Sequence, residues 1–222
     1  MHWFADLFYP RRCVACGVRG EWLCRDCRDA LPRLPDERCR HCAVPLRSVA
    51  VCPACWQEAP PFDSMTCGFL FGGALRAAVH QLKYRNGRHL AEPLVDALLA
   101  VASVPGDLDA LVPIPLHHSR MRRRGYNQSE LLARAISEKV GVLVRSPLLT
   151  RVRDTPTQTT LPAVERWQNV RGAFQADPAA KGSRLLLIDD VATTTGTLRA
   201  AASALKDVGA SAVHALVLAR VP

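Results

Sequence analysis

Residues 185–198 read LLLIDDVATTTGTL, and this stretch decides how the rest of the chain is interpreted. Four aliphatic residues in a row are typical of a strand that is buried on both faces of a parallel sheet. Two aspartates follow, and then four threonines interrupted by one glycine lead into an apolar helical pattern. A buried strand, a polar loop and a helix predict an α/β unit whose loop lies at the ligand-binding edge of the sheet.

The sequence on either side continues this alternation, which predicts an α/β domain with a mainly parallel sheet and flanking helices. The predicted strands cover residues 66–71, 110–116, 142–146, 184–188 and 212–219. The predicted helices cover residues 74–82, 89–101 and 198–208, with a further helix that begins near Asn127. The basic segment 117–126 is expected to be a loop, and the long polar segment 150–174 a functional or disordered one.

Asp189 and Asp190 suggest a sugar site at the end of their strand. Adjacent carboxylates repel each other, so both stay ionised only where cations or hydroxyl donors compensate for the charge. A ribose supplies two vicinal hydroxyls, ribose phosphates usually carry Mg²⁺, and the free amides that open a helix attract a phosphate. The pattern therefore indicates a ribose 5-phosphate site. The alternative is that the aspartates merely end the strand and the threonines merely start the helix.

Eight of the nine cysteines form four C-x-x-C pairs in the first quarter of the chain. Such a turn directs two thiolates at one metal ion, and two turns complete the tetrahedral sulfur site that zinc prefers. We therefore expect two structural zinc ions in a double zinc ribbon. Consecutive pairs are favoured as partners, although interleaved pairs would have the same spacing. The predicted ligands are Cys13, Cys16, Cys24, Cys27, Cys39, Cys42, Cys52 and Cys55.

Disulfides and a redox C-x-x-C are the alternatives for these cysteines. The first residues lack the features of a signal peptide, which predicts a cytoplasmic protein with reduced thiols. A redox motif normally occurs once, beside a βαβ unit. The ninth cysteine, Cys67, is expected to be a small buried side chain on a strand. Because the pairs stop before the linker PPFD, we expect two domains, at residues 1–58 and 62–222.

The chain is basic, with 29 Lys and Arg against 20 Asp and Glu and a formal net charge of +9. This balance favours anionic partners such as nucleotides, pyrophosphate or nucleic acid. No stretch approaches the roughly 20 apolar residues of a membrane span, so membrane insertion is not expected. The densest basic cluster is a candidate for phosphate or nucleic-acid contact. It consists of His117, His118, Arg120, Arg122, Arg123 and Arg124.

Several motifs in one order support a family resemblance over almost the whole chain. The cysteine pairs are followed by LKYRNGRHLAEPL, VPIPLHHSRMRRRGYNQSELLA, LLTRVRDTPTQTTLPAVERWQNVRGAF and LLLIDDVATTTGTL. The last motif resembles the phosphoribosyl pyrophosphate (PRPP) site of type I phosphoribosyltransferases. The full order resembles the ComF family, which includes the competence protein ComFC and its relative GntX. This implies a double zinc ribbon followed by a phosphoribosyltransferase-like domain.

The resemblance also implies roles for individual residues. Asp189 and Asp190 would be the catalytic carboxylates that hold the ribose hydroxyls. The 5-phosphate would be surrounded by Thr193, Thr194, Thr195, Gly196 and Thr197. Pyrophosphate would be approached by Lys83, Tyr84 and Arg85, with help from Arg122, Arg123 and Arg124. Residues 124–128 match the family signature R-G-F/Y-N-Q. The matches in the family's mobile cover are Arg151, Thr155, Gln158, Arg166 and Asn169.

The threonine row departs from the family loop T-T-G-x-T at one position. Thr195 stands where the first glycine is expected, and Gly196 follows one residue later. Glycine suits such a position because a β-carbon crowds the phosphate or disfavours a positive φ. The departure predicts either weaker PRPP binding or a loop that is shifted by one residue.

Two functions are compatible with these features. The first is a phosphoribosyltransferase that uses Mg²⁺ and PRPP, whose acceptor is not evident from the sequence. The second is a nucleic-acid module that keeps the PRPP site as a scaffold or regulatory site. For that module, the resemblance implies natural transformation or DNA utilisation, with single-stranded DNA and a competence helicase as partners. The basic charge fits such binding, whereas aromatic residues are only 6% of the chain and argue against a strong stacking platform. A third option is that the zinc module only docks another protein.

Overall fold

A computed structural model describes residues 11–154 and 172–222 of the protein. Its main sheet has four parallel strands in the order β1-β6-β5-β2, which confirms the predicted α/β class. These strands are β1 (Ser64–Leu70), β2 (Ala110–Pro113), β5 (Arg184–Ala192) and β6 (Ala212–Arg220). A separate antiparallel pair is formed by β3 (Leu149–Arg151) and β4 (Phe174–Ala176).

Seven α-helices occur in the described residues. They are α1 (Arg25–Asp29), α2 (Pro53–Gln57), α3 (Gly73–Tyr84), α4 (Ala91–Leu99), α5 (His118–Arg124), α6 (Gln128–Val140) and α7 (Gly196–Asp207). Four of them, α3, α4, α6 and α7, correspond to the predicted helices. One face of the sheet packs against apolar residues of α3, α4 and α6. The other face packs against α7 and the β3–β4 pair. This layering buries the apolar run of β5 on both sides, as its composition predicts.

Two strand predictions are wrong. Strand β5 does not end at Ile188, because β6 continues alongside it and pairs Asp189 with Val217 and Ala192 with Arg220. The weaker strand predicted at 142–146 is reduced to a single bridge between Val144 and Leu111.

The basic segment predicted as a loop contains helix α5. The His117 ring accepts a hydrogen bond from Ser119 N at the start of this helix. At its end, Gly125 adopts the left-handed conformation that commonly terminates a helix. The two caps thus allow these seven residues to form a helix, although the segment has no apolar periodicity that would predict one.

The N-terminal region covers the edge of the sheet. The segment between the second and third cysteine pairs runs along β1, where Leu70 N donates to Pro32 O at 2.7 Å and Leu34 N to Gly68 O at 3.3 Å. Covering an edge strand in this way prevents it from pairing with another chain. In the two described ranges, every helix is too short or too polar to span a bilayer.

Candidate functional site

Two groups of four cysteines form candidate metal centres. Within each group the sulfur atoms all lie within 4.8 Å of one another. The first group combines pairs one and two, and the second group combines pairs three and four, so consecutive pairs are partners as predicted. All nine cysteines are free, and four sulfur atoms gathered in one place favour a metal site over a disulfide framework. The groups consist of Cys13, Cys16, Cys24 and Cys27, and of Cys39, Cys42, Cys52 and Cys55.

The two groups repeat the same local geometry. Cys24 precedes α1 and its N–H donates to Cys13 Sγ at 3.4 Å, while Cys52 precedes α2 and its N–H donates to Cys39 Sγ at 3.4 Å. Four thiolates around one point match a closed, structural zinc site. A hydrogen bond from Cys55, together with the nearby charge of Arg220, lowers the pKa of Cys42 to about 4. Cys67, outside both groups, is buried on β1 as predicted.

The acidic pair lies near the end of β5, and α6 supplies its polar partners. Asn127 begins α6: its Oδ1 accepts from Ser129 N at 3.1 Å, and its Nδ2 donates to Ile114 O at 3.0 Å. This cap directs the first turn of α6 at the carboxylates. Ser129 Oγ donates to Asp189 Oδ1 at 2.9 Å, and Gln128 Nε2 donates to Asp190 Oδ1 at 3.1 Å.

Lys83, at the end of α3, neutralises the more buried carboxylate. Its Nζ lies 2.5 Å from Oδ2 of Asp190, whose residue is only 2% exposed. The charge of Asp189 is less well compensated. Burial and the charge of Asp190 raise the pKa of Asp189 to about 7. The raised pKa means that the Ser129 hydroxyl and Lys83 compensate the charge of the pair only in part, so the site can still accept a cation.

The loop after β5 leads directly into α7. Thr195 adopts the left-handed conformation, with φ of 60°, and its hydroxyl donates to Thr194 O at 2.6 Å. Gly196 is the first residue of α7. The glycine has therefore not taken over the unusual conformation, and the predicted shift of the loop by one residue is wrong. Thr195 itself occupies the backbone geometry that favours glycine, which is exceptional for a β-branched residue.

A cavity of about 420 Å³ adjoins the acidic pair through Lys83. Arg124 is over the Tyr84 ring at 5.0 Å and also donates to Gln128 Oε1, so Gln128 connects this cation to Asp190. The lining residues are Lys83, Tyr84, Asn86, Arg123, Arg124 and Tyr126.

The remaining predicted phosphate ligands do not share this cavity. Arg85 lines a second groove of about 380 Å³, together with Arg76 and His80. Arg122 is exposed and lines neither cavity. The structure thus separates Lys83 from Arg85, although the two are adjacent to Tyr84 in sequence.

Part of the predicted mobile cover lies outside the described residues. Arg151 is described, and its guanidinium is over the Phe174 ring at 5.3 Å. Nearby, Asp154 Oδ2 accepts from Ser119 Oγ at 2.5 Å and so joins the segment to α5. The other matches fall in residues 155–171: Thr155, Gln158, Arg166 and Asn169.

Three residues at these sites were not predicted from the sequence. Ser129, which donates a hydrogen bond to Asp189, could have been suspected because it lies in the first turn of a capped helix. Arg199 and Arg220 are buried, with 6% and 5% exposure, and contact the second cysteine group. These two residues could have been noticed because each is an arginine at a position where the surrounding apolar pattern predicts a buried side chain.

Comparisons with known proteins agree with this architecture. Residues 4–56 match the double zinc ribbon domain, and residues 85–222 match the phosphoribosyl transferase domain. The DNA utilization protein YhgH of Salmonella typhimurium is 32% identical, over 96% of this chain and 99% of its own. Competence protein F of Haemophilus influenzae is 30% identical, over 96% of this chain and 98% of its own. Competence protein ComFC of Bacillus subtilis is 27% identical, over 90% of this chain and 85% of its own.

The fold and the cysteine centres together define a phosphoribosyltransferase-like protein with an N-terminal double zinc ribbon. With relatives of both competence and DNA utilization type matched over nearly their full length, the chain belongs to the ComF family. Among solved structures, the glutamine PRPP amidotransferase from B. subtilis complexed with ADP and GMP has a TM-score of 0.38 and 20% identity. That match covers 63% of this chain and 26% of the amidotransferase chain.

Proposed function

We propose that the chain binds Mg²⁺ and PRPP at the end of β5 and transfers the ribose 5-phosphate group to an acceptor. The observation that carries this proposal is the acidic pair itself, which is fixed by α6 and Lys83 directly before a loop that opens a helix. Carboxylates accept hydrogen bonds from ribose hydroxyls, and the first amides of α7 have no partner within the helix. These two elements fit the two halves of a ribose 5-phosphate.

The donor set also fits the cation that accompanies PRPP. The raised pKa of Asp189 indicates negative charge that the protein alone does not neutralise. A bound Mg²⁺ would supply the missing positive charge, while Lys83 pairs with Asp190. In the transfer, the bond between ribose C1 and pyrophosphate breaks, and a bond from C1 to the acceptor forms.

The basic cavity beside Lys83 fits the leaving pyrophosphate. Lys83, Arg123 and Arg124 bring three cations to one cavity that adjoins the acidic pair. Preorganised positive charge stabilises the negative charge that develops on a leaving group. We assign this role to these three residues; Arg85 and Arg122 are outside the cavity and are expected to contribute less.

Calorimetry with Mg²⁺-PRPP tests the proposal. The wild type should release heat on binding, and Asp189→Asn/Asp190→Asn should bind at least about tenfold more weakly, because the neutral amides lose both charges. Asp207→Asn, at the exposed end of α7, is the matched control and should bind like the wild type. The absence of heat from the wild type at millimolar ligand would refute PRPP binding. Equal affinity of the double variant would refute the assignment of these carboxylates.

We also infer a second role, contact with single-stranded nucleic acid, from the surface of α3. One stripe along this helix consists of Arg76, His80 and Tyr84, because each lies four residues after the one before. Tyr84 is 61% exposed. A cation for a phosphate, here Arg76, and an exposed ring for a base, here Tyr84, are the two components of single-strand binding. The names of the relatives support a role in competence or DNA utilization. We further propose that this role is carried out in the cytoplasm, with a competence helicase as a partner.

Fluorescence anisotropy with a labelled single-stranded oligonucleotide tests this second role. Affinity should fall as the salt concentration rises. In a plot of the logarithm of the binding constant against the logarithm of the salt concentration, each phosphate contacted should add roughly 0.7 to the downward slope. Tyr84→Ala should weaken binding by about 1 to 3 kcal/mol, and Tyr84→Phe should restore most of the loss because the ring is kept. Arg25→Gln, an exposed change on α1, is the charge control. Equal affinity of Tyr84→Ala and the wild type would argue against stacking on α3.

A further inference from the structure

Arg220, the last residue of β6, connects the second cysteine group to the threonine loop. Its side chain is buried and donates only to main-chain carbonyls in the contacts described here. Nε donates to Cys42 O at 3.0 Å, and Nη1 donates to Ala192 O at 3.1 Å and to Thr193 O. One guanidinium therefore binds a zinc knuckle and both residues that open the loop.

Arg199, in the first turn of α7, makes the second connection. Its Nη2 donates to Glu58 O at 2.9 Å and to Cys55 Sγ at 3.6 Å. Its own N–H donates to Thr195 O at 2.9 Å. The helix that follows the loop is thus attached to the same cysteine group as the strand that precedes the loop.

The contacts of Arg220 orient the loop amides. A trans peptide directs its C=O and N–H in opposite directions. Because the Thr193 carbonyl is directed at Arg220, the N–H of Thr194 is directed away from it. Thr195 adds a left-handed backbone geometry, which persists only where the surroundings fix it. Contacts on both sides of Thr195 supply that support.

The two buried arginines are expected to depend on the zinc centre because of its negative charge. A zinc ion bound by four thiolates retains about two negative charges, and buried cations need such compensation. Arg199 and Arg220 both reach the second group, at Cys55 Sγ and at Cys42 O. The fully bound centre would therefore balance two buried guanidinium groups, and loss of its zinc would leave both less well fixed.

We propose that Arg220 and Arg199 are positioning residues through which the second cysteine group, and not the first, keeps the loop 192–197 in its phosphate-binding geometry. Their effect on PRPP rests on the function proposed above. Their effect on the loop does not, since the order of the loop amides is measurable without ligand.

Hydrogen exchange without ligand, read on peptides that cover residues 190–198, is the first measurement. Arg220→Gln should accelerate exchange in these peptides about tenfold or more, because the carbonyl contacts are lost. Arg220→Lys should be intermediate, since an ammonium group cannot span both the knuckle and the loop. Cys52→Ser should accelerate exchange like Arg220→Gln, whereas the matched change in the first group, Cys24→Ser, should leave these peptides at the wild-type rate. Zinc analysis should find about one ion per chain in both cysteine variants.

Mg²⁺-PRPP calorimetry on the same variants is the second measurement. Arg220→Gln and Cys52→Ser should weaken binding about tenfold or more, and Cys24→Ser should not. Wild-type exchange in both Arg220→Gln and Cys52→Ser would overturn the proposal. So would equal acceleration by Cys24→Ser, because the effect would then not be specific to the second group. If exchange responds as expected but the wild type binds no PRPP, the positioning role stands and the proposed function fails. If Arg220→Gln does not fold, Arg220→Lys and Cys52→Ser decide the outcome.

Discussion

The two cysteine groups have the same ligands, the same C-x-x-C spacing within each pair and a similar local geometry, but they differ in what surrounds them. In the first group Cys13 is buried and Cys16 is exposed, whereas all four cysteines of the second group are buried. The first packs with the helical face of the domain through Leu23 and Leu31. The second lies beside two buried arginines that reach the threonine loop. The same metal-binding unit is thus used once to attach a chain segment and once to support a ligand site.

The attachment of the first group depends on ordinary packing. Trp22 and His89 have ring centroids 3.8 Å apart, which joins the first knuckle to the segment before α4. No contact between this group and the loop 192–197 occurs among the hydrogen bonds of the described residues. Changes here should therefore affect the stability of the N-terminal region more than the ligand site.

The largest expected effect comes from removing one ligand from each group in turn. Cys52→Ser should lower the melting temperature more than Cys24→Ser, because it also removes the charge that compensates buried Arg199 and Arg220. An uncompensated buried charge costs about 3 to 5 kcal/mol, in addition to the lost metal binding. Thermal unfolding followed by circular dichroism, with zinc analysis, gives the difference. Equal melting temperatures, or a greater loss for Cys24→Ser, would contradict the contrast between the groups.

A second prediction concerns pH and the acidic pair, which lies beside Lys83 instead of a metal centre. The pKa of Asp189 is raised from 3.8 to about 7 by burial and by Asp190, so the folded state retains a proton that the unfolded state releases. The free energy of unfolding therefore falls as pH rises from the unfolded pKa to the folded one, and the loss is complete above it. Asp189→Asn removes this penalty and keeps the acceptor for Ser129.

Asp189→Asn should thus stabilise the protein by about 1.4 kcal/mol more at about pH 8 than at about pH 6. Urea unfolding at the two pH values measures the difference. Both values keep the measurement above the range in which protonation of thiolates releases zinc. The exposed Asp207→Asn is the control. The same stabilisation at both pH values would mean that Asp189 is ionised throughout.

The fold could largely be predicted from the sequence because its signals are local. The apolar run of β5, the cap at Asn127 and the C-x-x-C spacing each act over a few residues, and each corresponds to an observed element. The carboxylates and the loop are candidates from the same kind of local pattern. What could not be predicted depends on residues that are distant in sequence. Lys83 meets Asp190, and Arg220 meets Cys42, only because the parallel sheet brings them together.

The boundary errors have the same origin. The pairing with β6 carries β5 past its apolar run to Ala192, and no local pattern reveals that continuation. Helix α5 depends on its two caps, which outweigh the polar composition of the segment. The sequence correctly singled out Thr195 as unusual, but only the backbone shows that it takes the left-handed conformation itself.

The smallest expected effect, and the one that probes the support of the loop most directly, is that of Thr195→Gly. Glycine adopts the observed φ of 60° without a steric penalty, so the substitution should stabilise the protein by about 1 kcal/mol, in spite of the greater freedom of the unfolded chain. Thr197→Gly, two residues later in the first turn of α7, is the matched control and should destabilise by up to about 1 kcal/mol.

A relaxed loop also depends less on external support, so Cys52→Ser should accelerate loop exchange less in the Thr195→Gly background than in the wild type. An equal acceleration in both backgrounds would show that the second group does not act by holding Thr195 in its strained geometry.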